Sequence, residues 1–214
     1  MEFDQKKVMS YPLHIRLINV VIKKSVNAYW TIIDIFSNKF PIISKQLYQR
    51  IIKDEYNLEH ELLHLKKSDN ILHIGCGIFP YSALLLSKKG QKKIVAIDTN
   101  KQAVYYAKEL IQKKKLNGKI KIEIGDGAYY NLKPYSVIIS SSCVDSTVKV
   151  LHNIVNHTKP NTRIIIRELP PMSKYLKKII NSQDNITLQN HYSKHSFPYY
   201  SIFRWDSFII KKTK

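Results

Sequence analysis

The passage from Asn70 to Asp98 constrains the chain most, because it joins two apolar strands through a glycine turn and a helix. Asn70-Ile71-Leu72-His73-Ile74 has the length and composition of a buried strand and runs straight into Gly75-Cys76-Gly77. Glycine lacks a β-carbon and tolerates positive φ, so a Gly-x-Gly turn after a strand lets the backbone approach a ligand. Residues 80–87 then read as a helix with Pro80 in its first turn, where a missing N–H costs nothing. Residues 93–98 form the second strand and end in Asp98, 21 positions after Gly77. A carboxylate at that place can accept both hydroxyls of a ribose.

The same rhythm continues. Residues 101–115 read as a helix closed by Asn117-Gly118, 119–124 as a third strand and 135–140 as a fourth. A helix over 145–156 leads to a fifth strand over 162–167. Two further strands, 186–192 and 200–211, follow with only a turn region containing Pro198 between them. Strands alternating with helices imply a parallel sheet covered on both faces. The expected fold is therefore α/β: a Rossmann-like, mostly parallel sheet ending in an antiparallel strand pair, with helices on both faces. Residues 1–68 read as a helical N-terminal extension: one helix over 13–22, a second over 26–36, a break at Pro41 and a third over 44–65.

Nicotinamide dinucleotides require Gly-x-Gly-x-x-Gly, whose last glycine packs the helix closely while its N-terminus holds pyrophosphate. Here that last position is Pro80. S-adenosylmethionine (AdoMet) has no pyrophosphate and suits the turn better. Residues 58–211 resemble the class I AdoMet-dependent methyltransferases. A narrower stretch, Gly75-Cys76-Gly77-Ile78-Phe79-Pro80-Tyr81-Ser82, is similar to the Gly-x-Gly-Pro-Leu-Pro-x-Thr turn of nicotianamine synthases. Leu58-Glu59-His60-Glu61-Leu62-Leu63 matches that family's Leu-Glu-x-x-Leu-Leu stretch, and Arg167-Glu168-Leu169 sits where it carries an Arg after its fifth strand. Ile78, Phe79 and Ser82 depart from the family's Pro, Leu and Thr.

The resemblance implies an AdoMet-dependent transferase, with residues 69–214 as the AdoMet-binding catalytic domain and residues 1–68 as a lid or substrate cap. It implies AdoMet contacts from Gly75, Cys76, Gly77, Asp98, Thr99, Asp126, Gly127, Ser141 and Ser142, with Asp126 against the adenine amino group. Methyl transfer from a sulfonium needs alignment of donor and acceptor, and at most a general base. Acids on the rim where ligands of open α/β sheets sit are Asp145 and Glu168, with Glu59 facing the same crevice if the narrower likeness holds. Asp145 could equally cap the helix after it, and Glu168 could pair with a surface lysine. Methyl transfer to a small-molecule or amine acceptor leads. Aminobutanoyl transfer, with Glu59 deprotonating an amine, is the alternative.

His60-Glu61-Leu62-Leu63-His64 fits the His-Glu-x-x-His zinc signature, but no third ligand follows at a suitable offset, and no metal is expected. Cys76 and Cys143, at the ends of neighbouring strands, read as small pocket-lining residues, and two cysteines in 214 residues point to a reducing, cytoplasmic setting. The stretch 13–36 is interrupted by His14, Arg16, Lys23, Lys24 and Asp34, so no membrane span is expected. The formal charge of +19 implies an anionic partner: nucleic acid, anionic lipid or an acidic small molecule. Lysines outnumber arginines 30 to 5, which weighs against bidentate reading of bases or phosphates.

Overall fold

A computed structural model describes residues 10–40, 53–193 and 205–214. Its helices are α1 (Leu13–Lys39), α2 (Lys53–Leu62), α3 (Tyr81–Lys88), α4 (Lys101–Lys113), α5 (Thr147–His157) and α6 (Pro170–Asn181). Its strands are β1 (Ile71–Ile74), β2 (Ile94–Asp98), β3 (Ile120–Ile124), β4 (Val137–Ser140), β5 (Arg163–Glu168), β6 (Ile186–Tyr192) and β7 (Asp206–Lys212). They form one sheet in the order β3-β2-β1-β4-β5-β7-β6. The first five strands in that order run parallel, and β7 is antiparallel to both β5 and β6.

β1 and β4 are buried at every position, as strands covered on both faces must be, which is why their sequences are continuous apolar runs. Successive side chains alternate between two cores. Leu72, Ile74, Ile138, Ile164 and Ile166 pack on one face with α1, α5 and α6. Ile71, Val137, Ile139 and Ile165 pack on the other with α3 and α4. The chain order reverses between β1 and β4, so the crevice beyond their carboxyl ends is the switch point where ligands of such sheets bind.

Several local expectations change. The stretch read as two helices is one continuous helix, α1, because Lys23 is buried instead of marking a break. The third expected helix is described only as α2; residues 44–52 and Pro41 lie outside the described residues, as do residues 200–204 of the last strand. Helix α4 ends at Lys113, and the left-handed residue beyond it is Lys115 (φ 55), not Gly118. Ser146, not Asp145, caps α5: its hydroxyl accepts the Lys149 N–H at 3.3 Å. The sequence reading places no element between β5 and β6, where the structure builds α6. That helix begins on Pro170-Pro171 and buries Met172, Leu176 and Ile180 at i, i+4 and i+8.

Candidate AdoMet site

The Gly-rich turn is held open by backbone geometry that only glycine adopts without strain. Gly75 and Gly77 have φ of +77° and +66°. A β-carbon on Gly75 would lie 3.0 Å from Val144 Cγ1, and one on Gly77 would lie 2.9 Å from Asp34 Oδ2. The turn is pinned to the neighbouring strand, since Gly75 N donates to the Ile97 carbonyl at 2.8 Å. Asp98 Oδ2 accepts the Gly77 N–H at 2.9 Å, and its Oδ1 accepts the Asn100 N–H at 2.9 Å. The carboxylate at the end of β2 thus sits directly against the glycine turn.

A cavity of about 640 Å³ opens at this rim. Gly75, Cys76, Gly77, Asp98, Thr99, Asp126, Gly127, Ser141 and Ser142 all line it, so the structure gathers the nine candidate contacts around one space. A volume of that order suits a nucleoside-sized ligand. The Cys76 thiol is pushed up by burial and the nearby Asp98 charge, and Cys143 is pushed up to about 11 by burial, so both stay protonated at neutral pH.

Side chains that sequence reasoning did not single out complete the wall. Helix α1 contributes Asn27, Trp30, Thr31 and Asp34, whose carboxylate also accepts the Phe79 N–H at 3.2 Å. No local motif marks them, because they come from a helix distant in sequence. His73, Tyr56, Tyr81, Arg167 and Trp205 also line the cavity. His73 Nε2 lies 3.0 Å from Ser141 Oγ, whereas its Nδ1 is buried without a partner. Burial, with the Arg167 charge, holds His73 neutral, its pKa lowered to about 3.

Among the three candidate catalytic acids, only Asp145 lines the cavity, where it is solvent-exposed. Glu59 is 1% exposed and pairs with Arg167, which donates from Nε at 2.9 Å and from Nη2 at 2.6 Å. Ser207 Oγ and Trp205 Nε1 donate to the same carboxylate at 2.5 and 3.3 Å. Burial alone would raise the Glu59 pKa. The Arg167 charge and these hydrogen bonds outweigh it and hold the group below the usual carboxylate range. The Arg167 guanidinium also lies 4.3 Å from the Tyr56 ring centroid and 5.4 Å from that of Trp205. Glu168 is fully buried, accepts the Tyr11 hydroxyl at 2.7 Å and lies 3.5 Å from Lys23 Nζ.

The His-Glu-x-x-His match is split by the local backbone. Helix α2 ends at Leu62, and His64 has φ 45 and is exposed, while His60 is 5% exposed. The two imidazoles do not share a helix face.

This sheet order, with a glycine turn after β1 and an acid ending β2, defines a Rossmann-like α/β fold with its ligand crevice at the switch point between β1 and β4. The sequence profile of the methyltransferase-domain family matches residues 65–206, and the chain belongs to that family. The ribosomal protein L11 methyltransferase of Thermosipho melanesiensis is 28% identical over 118 residues, which are 55% of this chain and 45% of that protein. The chain therefore spans less than half the length of this curated relative. Among solved structures, a mutant of the nicotianamine synthase MtNAS in complex with S-adenosylmethionine superposes with a TM-score of 0.70 at 15% identity, covering 95% of this chain and 80% of that one. The ribosomal protein L11 methylase of Lactobacillus delbrueckii subsp. bulgaricus gives a TM-score of 0.58 at 15% identity, covering 74% and 77%. At these identities the structural likeness shows the fold.

Proposed function

We propose that the chain is an AdoMet-dependent methyltransferase. One observation carries the reading: Asp98 abuts a turn of two positive-φ glycines inside a cavity that also holds Asp126 and the Ser141-Ser142 backbone. In this reading Asp98 accepts the ribose hydroxyls, Asp126 the adenine amino group, and the 75–77 turn admits the methionine portion. When bound, AdoMet supplies an activated sulfonium carbon. The protein's part is alignment and exclusion of water, with the exposed carboxylate of Asp145 available to take a proton from the acceptor. Asn27, Trp30, Thr31 and Asp34 add a wall from α1, which supports the N-terminal extension as a cap over the acceptor.

Aminobutanoyl transfer is a second reading, favoured by one contact. Glu59 and Arg167, residues on which the narrower resemblance to nicotianamine synthases rests, are joined in a buried ion pair. In that reading the pair shapes the pocket wall; Glu59, held ionised by several donors, positions Arg167 and takes up no proton at neutral pH. Incubation with AdoMet and a panel of amine, hydroxyl and thiol acceptors tests both readings. Methyl transfer releases S-adenosylhomocysteine, and aminobutanoyl transfer releases methylthioadenosine. Formation of only the second product would overturn the first reading, and absence of AdoMet binding by calorimetry would overturn both.

A further inference from the structure

Helix α1 carries exposed aliphatic side chains on the side turned away from the fold. Its inner side buries Asn19, Lys23, Val26 and Asp34 against the sheet and the cavity. On the outer side Leu13, Leu17, Val20, Val21, Ile32 and Ile35 are exposed, four of them by 64–68%. At 3.6 residues per turn these six fall on an arc of roughly 120°, in two groups, 13–21 and 32–35, with Lys24, Ala28 and Thr31 between them on the same arc. The helix of 27 residues is about 40 Å long, and the two aliphatic groups lie toward its two ends. Exposed aliphatic groups gathered on one helix face mark interaction surfaces.

The charges on α1 select among occupants. Arg16, Lys24 and Lys39 are exposed, and the helix's one acid, Asp34, is buried on the inner side. The whole chain carries +19. We infer that the outer face of α1 is a docking surface for an anionic lipid membrane, on which the helix lies in the interfacial plane. An aliphatic face interrupted and flanked by cations is the pattern such helices use, with apolar side chains entering the acyl boundary and lysines reaching the headgroups. No described helix is long and apolar enough to cross a membrane. A second copy of the chain fits less well. Two bodies of +19 repel, and antiparallel pairing about the helix centre would bring the Lys24 side chains of both copies toward the axis. Single-stranded nucleic acid would satisfy the charge, and Phe36 and Phe40 are exposed at the helix's end, but the six residues of the face are aliphatic and offer no stacking platform.

The test uses the full chain and vesicles of phosphatidylcholine with or without an equal part of phosphatidylglycerol, scored by co-sedimentation at physiological salt. The wild type should bind the anionic vesicles and leave the neutral ones largely free. Leu17→Glu with Val21→Glu, both at exposed positions, should weaken anionic-vesicle binding about tenfold or more, with unchanged thermal melting and AdoMet calorimetry. Failure of the wild type to bind anionic vesicles would overturn the inference. Equal binding by the double variant would do the same, because charge alone would then suffice. A wild-type dimer that the double variant converts to monomer would assign the face to self-association. Loss of binding to a single-stranded oligonucleotide with vesicle binding intact would assign it to nucleic acid.

Discussion

Glu59→Gln separates a carboxylate that holds the fold from one that does chemistry. The substitution keeps size and shape but removes a negative charge from an ion pair whose partners are 1% and 2% exposed. Arg167 would then keep a full positive charge in the interior with only neutral partners. Removing one member of a buried pair costs about 3–5 kcal/mol, and glutamine's remaining oxygen acceptor places this case near the lower end. For a chain of this size each kcal/mol moves the melting temperature by about 2–4 °C, so the loss is roughly 6–12 °C. The pH dependence has a definite sign. The Glu59 pKa is lowered on folding, so the pair's contribution is complete above the unfolded carboxyl value, about 4.3, and is lost as pH falls through the folded value. The gap in melting temperature between wild type and Glu59→Gln should be full at neutral pH and narrow in acid below about pH 4. Calorimetric melts across that range, run beside the AdoMet product assay, measure both properties. A variant that melts within about 2 °C of wild type yet loses transfer activity by some hundredfold would refute the argument and return Glu59 to the chemistry.

Two further outcomes follow from the site. Asp98→Ala removes the acceptor proposed for both ribose hydroxyls. Each charged hydrogen bond is worth about 1.5–3 kcal/mol, so losing both should weaken AdoMet binding by about a hundredfold or more in calorimetry; unchanged affinity would remove Asp98 from the site. His60 and His73 are held neutral mainly by burial, their pKa values lowered to about 4 and about 3, so the unfolded chain takes up protons near pH 6.5 that the folded chain refuses. Stability should be complete above pH 6.5 and fall below it, by about 1.4 kcal/mol per pH unit for each histidine. A melting temperature that stays flat from pH 7 to pH 5 would contradict this.

What the sequence disclosed and what it hid have a common physical cause. The strands were legible because a parallel sheet buried on both faces demands unbroken apolar runs, as at 71–74 and 137–140. The glycine turn and Asp98 were legible because their chemistry is local: positive φ, then an acid at a strand's end. Helix α6 is hidden although its buried residues recur at helical spacing, because a start on two prolines resembles a loop. The Lys23-Lys24 pair makes α1 read as two helices, because a lysine usually marks solvent. The distant Glu168, Val144 carbonyl and Thr147 hydroxyl make burial of Lys23 tolerable, and no window of sequence contains them. The cavity wall from α1 was hidden for the same reason.

The end of β5 explains how the N-terminal helices become part of the site. Arg167 and Glu168 are consecutive in a strand, so their side chains leave opposite faces of the sheet. Arg167 reaches Glu59 of α2 on one face, and Glu168 meets Lys23 of α1 and Tyr11 on the other. Two adjacent residues of opposite charge thus anchor two helices to opposite sides of one strand end. The α1 anchor also reaches the loop after β4, because Lys23 Nζ donates to the Val144 carbonyl at 2.9 Å and to Thr147 Oγ1 at 2.8 Å. Anchoring α1 and shaping the cavity are therefore one event, as Val144 abuts the Gly75 turn and Asp34 the Gly77 turn. Glu168→Gln should leave Lys23 charged and underpaired in the interior, loosening α1 while the sheet persists. Amide exchange in α1 should then rise about tenfold or more with β1 unaffected, and AdoMet affinity should fall because Asn27, Trp30, Thr31 and Asp34 leave the wall. Unchanged exchange in α1 together with a lost transfer step would show instead that Glu168 works in the reaction.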